Sequence, residues 1–349
     1  MTSAFDVEAL AERIAAGEPR ALARGISCLE NEVDGVEALL DGLHHRLGGA
    51  RRIGITGPPG AGKSTLTAEL ARGVLEDGLT VGIIAVDSTS PFTGGALLGD
   101  RIRMSELVTE PGVFIRSMAS RGSLGGLATA TREAADLMDA AGYDRVIIET
   151  LGVGQSELDI AASADTTAVV LVPESGDGIQ AMKAGLMEVA DLFVVNKTDR
   201  PGADRLEKEI SVMMAIREGN LLHDIVSHHG TRVDHPTRAE TGMRETPVLQ
   251  TIASTGVGVV ELAVALDGHF AWLQETGELA ARRAHRRIKR TEDVLARLAR
   301  RSVDTVWRER REVVAGMLAT NDISPYAAAR ELYEEWVYRQ KGATGPALE

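Results

Sequence analysis

The run RRIGITGPPGAGKSTL, Arg51 to Leu66, decides how the rest of the chain is read. A short apolar strand-like run, Ile53 to Thr56, breaks at Gly57, and the residues Gly57, Pro58, Pro59, Gly60, Ala61, Gly62, Lys63 and Ser64 fit the pattern GxxxxGK[ST], followed by Thr65. Glycines let consecutive backbone N–H groups turn inward on an anion, and a helix starting near Lys63 adds its positive dipole end. The lysine then reaches the outer phosphates of a nucleotide while Ser64 Oγ ligates Mg²⁺. A glycine-rich strand-to-helix turn that binds nothing is the plain alternative. The surroundings argue against it, because the amphipathic positions Leu66, Leu70, Val74 and Leu75 follow directly, which is the placement a phosphate cradle requires.

Working outward from Arg51, short apolar runs alternate with longer helical stretches. That pattern predicts an α/β P-loop domain with a mostly parallel sheet covered by helices on both faces. Val81 to Val86 is the second strand and ends in Asp87. A carboxylate at the carboxyl end of a parallel strand faces the crevice where ligands of such sheets bind. Asp87 is therefore a site candidate, with turn capping as the alternative. Asp100, in the glycine-rich stretch before Met104, is a second candidate or a helix N-cap. Val113 to Ser117 reads as a strand, the loop Ser120 to Gly126 follows it, and a helix runs to about Ala141.

Val146 to Ile148 leads into ETLGVGQSE, Glu149 to Glu157. An acidic residue closing a strand, then two residues and Gly152, is what a nucleotide switch needs: the carboxylate holds Mg²⁺, directly or through water, and the glycine N–H bonds the γ-phosphate. Glu149 departs from the aspartate common at this place. Val153 stands where Ras-like proteins carry a water-orienting glutamine, so slow intrinsic hydrolysis is expected.

The strand Ala168 to Val172 opens into the glycine- and charge-rich loop Glu174 to Lys183, and the strand Leu192 to Val195 delivers Asn196, Lys197, Thr198 and Asp199. The carboxylate of Asp199 accepts from the two donors on guanine's Watson–Crick edge, whereas adenine offers an acceptor there and is rejected. Val248 to Ile252 then leads to Ala253, Ser254 and Thr255, candidate backbone contacts to the guanine ring. Between these elements, Leu222 to Glu245 carries His223, His228, His229 and His235. With no cysteine nearby and no i, i+4 histidine pair, a solvated loop is preferred to a metal site.

The flanks are helical. Residues 1–48 place apolar residues at helical spacings, broken at Gly17-Glu18-Pro19, and read as a packing segment; 49–273 form the nucleotide-binding domain; 274–349 are charged helices whose apolar faces need a partner surface. The basic run at Arg282 to Arg290 suits a solvated helix face better than nucleic acid, since the 349-residue chain has a net charge of -13. One cysteine, Cys28, permits neither an internal disulfide nor a multi-thiolate metal site, and the acidic, amphipathic N-terminus is unlike a leader. A cytoplasmic, membrane-free protein is expected.

As a set, GPPGAGKST, VDSTSPFTGGALLGDRIRM, ETLGVGQSE, PESGDGIQAMKAG and NKTD resemble the MeaB/ArgK/MMAA family of P-loop GTPases, chaperones of adenosylcobalamin-dependent acyl-CoA mutases. The resemblance is strong over about residues 50 to 260. It implies that Gly57 to Thr65 hold the phosphates of GTP or GDP, and that Ser64, Asp87, Asp100 and Glu149 surround Mg²⁺. It further implies that Lys63, Asp87, Asp100 and Glu149 carry catalysis and that Asn196, Lys197 and Asp199 read guanine. The loops after Asp87 and around Glu149 to Glu157 become switches, and Glu174 to Lys183 an additional switch facing the mutase. The C-terminal helices become a homodimer arm. A cobalamin adenosyltransferase is a further candidate partner. Two other functions remain open at this point: a metal-inserting GTPase, favoured only by the histidines, and a kinase of a transport protein, against which the guanine-reading tetrapeptide argues.

Overall fold

The computed structural model describes residues 6–88, 104, 106–120, 126–150, 163–173, 186–217, 246–320 and 322–341. The chain divides into two compact units, Met1–Arg283 and Ala284–Glu349.

The first unit is built on a seven-stranded sheet in the order β3-β2-β4-β1-β5-β6-β7. Its strands are β1 Arg51–Thr56, β2 Val81–Ser88, β3 Val113–Ser120, β4 Arg145–Thr150, β5 Thr166–Leu171, β6 Leu192–Asn196 and β7 Val248–Thr251. All neighbours pair in parallel. Parallel neighbours need long crossovers, and helices lie in three of them: α4 Lys63–Glu76, α5 Gly126–Ala140 and α6 Ala203–Arg217; α7 Val259–Glu275 follows the last strand, and α1 Val7–Ala15, α2 Pro19–Glu30 and α3 Val36–Leu43 precede the first. Local sequence sets the ends of the first helices. The Asp6 carboxylate accepts from Ala9 N at 3.0 Å to cap α1, and Pro19 occupies the opening turn of α2, where its missing N–H costs nothing.

Alternation along the strands divides the apolar side chains between two faces. On one face Ile53, Ile55, Ile83, Ile147 and Val170 pack with Leu66 and Leu70 of α4 and with Leu262 and Leu266 of α7. The opposite face carries two cores. Ile84, Val86, Val146 and Ile148 pack with Leu137 and Met138 of α5 and with Leu22, Ile26 and Leu39 of the N-terminal helices. Val169, Leu171, Phe193 and Val195 pack with Leu206, Ile210 and Met214 of α6. The N-terminal helices are thus one cover of the sheet, and truncating a fully buried residue such as Ile26 should cost about 2–5 kcal/mol.

Every strand expected from the sequence is present. The difference at β2 bears on the site: the strand runs on through Asp87 to Ser88, because β3 continues beside it and pairs Ala119 with Asp87 and Ser120 with Ser88. At the amino edge of the sheet, Asp139 of α5 accepts from the backbone N–H groups of Gly48, Gly49 and Ala50 and from Arg52. Arg283 reaches Asp165 at 2.7 Å and the carbonyls of Gly48 and Ala50. These charged groups are mutually paired at the edge away from the phosphate loop, where they anchor strand starts.

The helix α8, Glu278–Ala319, begins in the first unit and continues into the second, which also contains α9, Pro325–Lys341. Within the second unit Arg310 forks onto Glu335, Arg339 bonds Glu309 and Glu335, and Trp336 Nε1 donates to Ser302 Oγ at 2.7 Å. Ile288, Leu295, Tyr326, Tyr333 and Tyr338 stand exposed.

Candidate functional site

The chain reverses its walk across the sheet at β1, which lies between β4 and β5. Ligands of open parallel sheets bind outside the carboxyl ends of the strands at such a reversal. Here β1 ends at Thr56 and passes into Gly57, and β4 delivers Glu149, level with Ile55 of β1 and Ala85 of β2.

Two glycines of the phosphate loop are closely approached by neighbouring strands. Gly57 has φ 135°, and a Cβ there would lie 2.0 Å from the carbonyl oxygen of Val170 in β5. Gly62 has φ 86°, and a Cβ there would lie 2.4 Å from Asn196 Nδ2. The loop is therefore pressed against β5 on one side and the end of β6 on the other. Gly62 also forms the N-terminal boundary of α4 with no side-chain cap, so the first amides of that helix point toward whatever fills the loop.

Lys63 and Ser64 open α4 and are both buried. Lys63 Nζ donates to the carbonyls of Gly57 at 2.7 Å and Pro58 at 2.9 Å, so the ammonium is held against the backbone of the loop that precedes it. Ser64 Oγ donates to Glu149 Oε1 at 2.5 Å, and Glu149 is fully buried. A hydroxyl and a carboxylate converging at the mouth of a phosphate loop are hard oxygen donors. They fit Mg²⁺, which binds through one or two protein oxygens, phosphate and retained waters rather than a full protein cage. Among the described residues no group of three or more His, Cys, Asp or Glu side chains is arranged to hold a metal. Asp87 lies in β2, while Asp100 and Gly152 fall outside the described residues, as do the loop Glu174 to Lys183 and the four histidines between Leu222 and Glu245.

The NKTD stretch divides its labour. Asn196 is buried and its amide makes three hydrogen bonds: Nδ2 donates to Ala61 O at 2.8 Å, and Oδ1 accepts from Ala253 N at 3.0 Å and Thr251 Oγ1 at 3.1 Å. It therefore ties the phosphate loop to the loop after β7. Lys197, at φ 60°, lays its ammonium on Gly60 O at 2.8 Å. Asp199 is exposed, so its carboxylate is accessible. Thr251 was not a sequence candidate; its position at the end of the last strand, just before Ala253, is the signal that could have marked it. Ser254 and Thr255 are exposed in a turn closed by Thr255 N donating to Ile252 O at 3.0 Å.

The profile of one family, described as methylmalonyl-CoA mutase-associated GTPase MeaB, matches residues 22–307. The chain belongs to the MeaB family. The family is one of GTPases, and the chain is a P-loop GTPase. It is 42% identical over 333 residues to the Pyrococcus horikoshii protein named "Putative GTPase PH0274", covering 95% of this chain and 99% of that one. A mouse protein named methylmalonic aciduria type A homolog, mitochondrial, is 35% identical over 236 residues, 66% of this chain and 52% of that one. Among solved structures, one of an LAO/AO transport system kinase superposes with a TM-score of 0.62 at 28% identity, covering 94% of this chain and 96% of that one. No helix among the described residues is long and apolar enough to cross a membrane.

Proposed function

We propose that this GTPase serves an adenosylcobalamin-dependent acyl-CoA mutase of the methylmalonyl-CoA type, using its GTP cycle to gate cofactor loading and to protect or reactivate that enzyme. The observation that carries the reading is the family match over residues 22–307, under a description that names association with methylmalonyl-CoA mutase. The mouse relative, named for a methylmalonic aciduria, supports it.

In this reading Gly57 to Thr65 cradle the phosphates, and Lys63 moves from the carbonyls of Gly57 and Pro58 onto the outer phosphates. Ser64 and Glu149, joined by Asp87 and Asp100, hold Mg²⁺, which when bound neutralises charge on the nucleotide's phosphates. Gly152 bonds the γ-phosphate through its backbone. Asp199 reads guanine, Lys197 lies along the base, Asn196 keeps the surrounding loops in place, and Ala253, Ser254 and Thr255 complete the base pocket. Because Val153 replaces a water-orienting glutamine, the mutase completes a site that turns over slowly alone. The protein acts in the cytoplasm as a homodimer, and the exposed Ile288, Leu295, Tyr333 and Tyr338 of the C-terminal helices support an intersubunit role for them.

The test is complex formation with methylmalonyl-CoA mutase, followed by size-exclusion chromatography and calorimetry in GDP, in a non-hydrolysable GTP analogue and without nucleotide. An affinity that changes with the nucleotide is expected. No association in any of the three conditions overturns the reading. The solved transport system kinase favours a second reading, phosphoryl transfer to a protein; it requires a phosphorylated protein product, and its absence with GTP and ATP alike eliminates it.

A further inference from the structure

We propose that Thr56 and Thr150 form a positioning pair that sets the spacing of the phosphate loop and the metal-holding carboxylate of Glu149. Thr150 Oγ1 donates to Thr56 Oγ1 at 3.2 Å, and both side chains are fully buried. Thr56 is the residue immediately before Gly57, and Thr150 immediately follows Glu149. The ladder between β1 and β4 has Ile55 opposite Glu149 as its last rung. The hydroxyl bond therefore lies one residue beyond the last paired rung of the two strands.

Alternation places the two bonds on opposite faces of the sheet. Glu149 meets Ser64 on the face covered by α4, while its neighbour Thr150 meets Thr56 on the other. The same strand end is thus gripped from both sides. Val86 of β2 pairs with Thr150, and Val169 of β5 pairs with Thr56, so the hydroxyls are flanked by apolar residues. Two valines would fill this space with no polar group to satisfy. What the hydroxyls add is geometric: a directional bond that fixes the separation of β1 and β4 where the phosphate loop begins and Glu149 is held. Neither threonine touches the nucleotide or metal in the proposed arrangement; each acts through its chain neighbour. The inference rests on the reading of Ser64 and Glu149 as metal-holding groups.

The decisive variant is the double substitution Thr56→Val/Thr150→Val, since replacing both partners of a buried bond by apolar groups of the same shape leaves stability nearly unchanged. The readouts are the Mg²⁺ concentration for half-maximal GTP hydrolysis, GDP affinity in EDTA, and the thermal midpoint. We expect the half-maximal Mg²⁺ concentration to rise about tenfold, in line with the sensitivity of such sites to small displacements, with GDP affinity in EDTA and the midpoint close to wild type. An unchanged Mg²⁺ dependence overturns the proposal. Thr150→Ser keeps the hydroxyl and should retain the wild-type Mg²⁺ dependence; a tenfold rise there shows that the hydroxyl is not the operative group and overturns the proposal even if the double variant does not fold. Glu149→Gln run in parallel separates the two levels. If it raises the Mg²⁺ requirement and the double valine variant does not, only the positioning role fails; if it leaves the requirement unchanged, the metal reading fails and the positioning role with it.

Discussion

Ser64 Oγ and Glu149 Oε1 meet at 2.5 Å, joining the first turn of the helix after the phosphate loop to the end of β4. The two residues are 85 positions apart in sequence, and both are buried. Glu149→Gln keeps the size of the side chain and leaves an oxygen for Ser64 to donate to, so the fold should survive. Removing the charge should weaken the hold on Mg²⁺, raising the Mg²⁺ requirement and slowing GTP hydrolysis by about 10²- to 10³-fold, the scale of losing one group that supports charge stabilisation in the transition state. Steady-state phosphate release across a Mg²⁺ titration checks this.

The two glycines flanking Pro58 and Pro59 should differ sharply. Gly57→Ala drives a Cβ to 2.0 Å from a backbone carbonyl of β5, which has no flexible end to move aside. Nucleotide binding should be lost and soluble yield should fall. At Gly60, with φ 76°, an added Cβ would meet no protein atom within 4 Å, so the fold bears only the left-handed backbone strain of Gly60→Ala, about 1–2 kcal/mol. Binding of a fluorescent GDP analogue and thermal melts distinguish the two.

Asn196 and Asp199 belong to one tetrapeptide but should fail in different ways. Asp199 is exposed, and Asp199→Asn should lower GTP affinity by at least about tenfold with little change in melting temperature, as a base-edge contact would. Asn196→Ala deletes bonds to Ala61, Thr251 and Ala253 within the protein. It should cost about 1–3 kcal/mol of stability from the buried groups left behind as well as weaken GTP. Paired calorimetric binding and denaturation curves separate these outcomes.

Away from the site, the Asp144 carboxylate accepts from Thr80 N at 2.8 Å and Thr80 Oγ1 at 2.7 Å, bonds that hold its pKa below the ordinary carboxylate range. A depressed folded-state pKa contributes stability that is present above the unfolded value of about 4 and is lost as pH falls through the folded value. Asp144→Asn should therefore be less stable at neutral pH by on the order of 1 kcal/mol, and the gap should narrow below about pH 4. Urea melts at neutral and acidic pH measure it.

The fold was legible because two periodicities dominate the chain. Ile53 and Ile55, Ile83, Ile147 and Val170 alternate with residues of the opposite core, and Gly57 to Ser64 stops the first strand where a helix must begin. Lys63, Ser64 and Glu149 were candidates because phosphate chemistry demands those residue types at strand and helix ends, and the structure brings Ser64 and Glu149 together. The tie made by Asn196 was less accessible: its partners at Ala61 and Thr251 are remote in sequence, and an asparagine that reads a base and one that braces two loops look the same in a tetrapeptide. The extension of β2 through Asp87 was hidden for a related reason, since it is set by the length of its neighbour β3 rather than by apolar patterning. Thr56 and Thr150 carry no motif signal at all; only the β1–β4 register brings them together.

Phosphate release from Mg²⁺-GTP by the full chain, measured alone and with methylmalonyl-CoA mutase, is the most direct test of a GTPase that answers to a mutase. Slow turnover alone, accelerated on the order of a hundredfold by the mutase and not supported by ATP, is the predicted result. Fast turnover that ignores the mutase would contradict it.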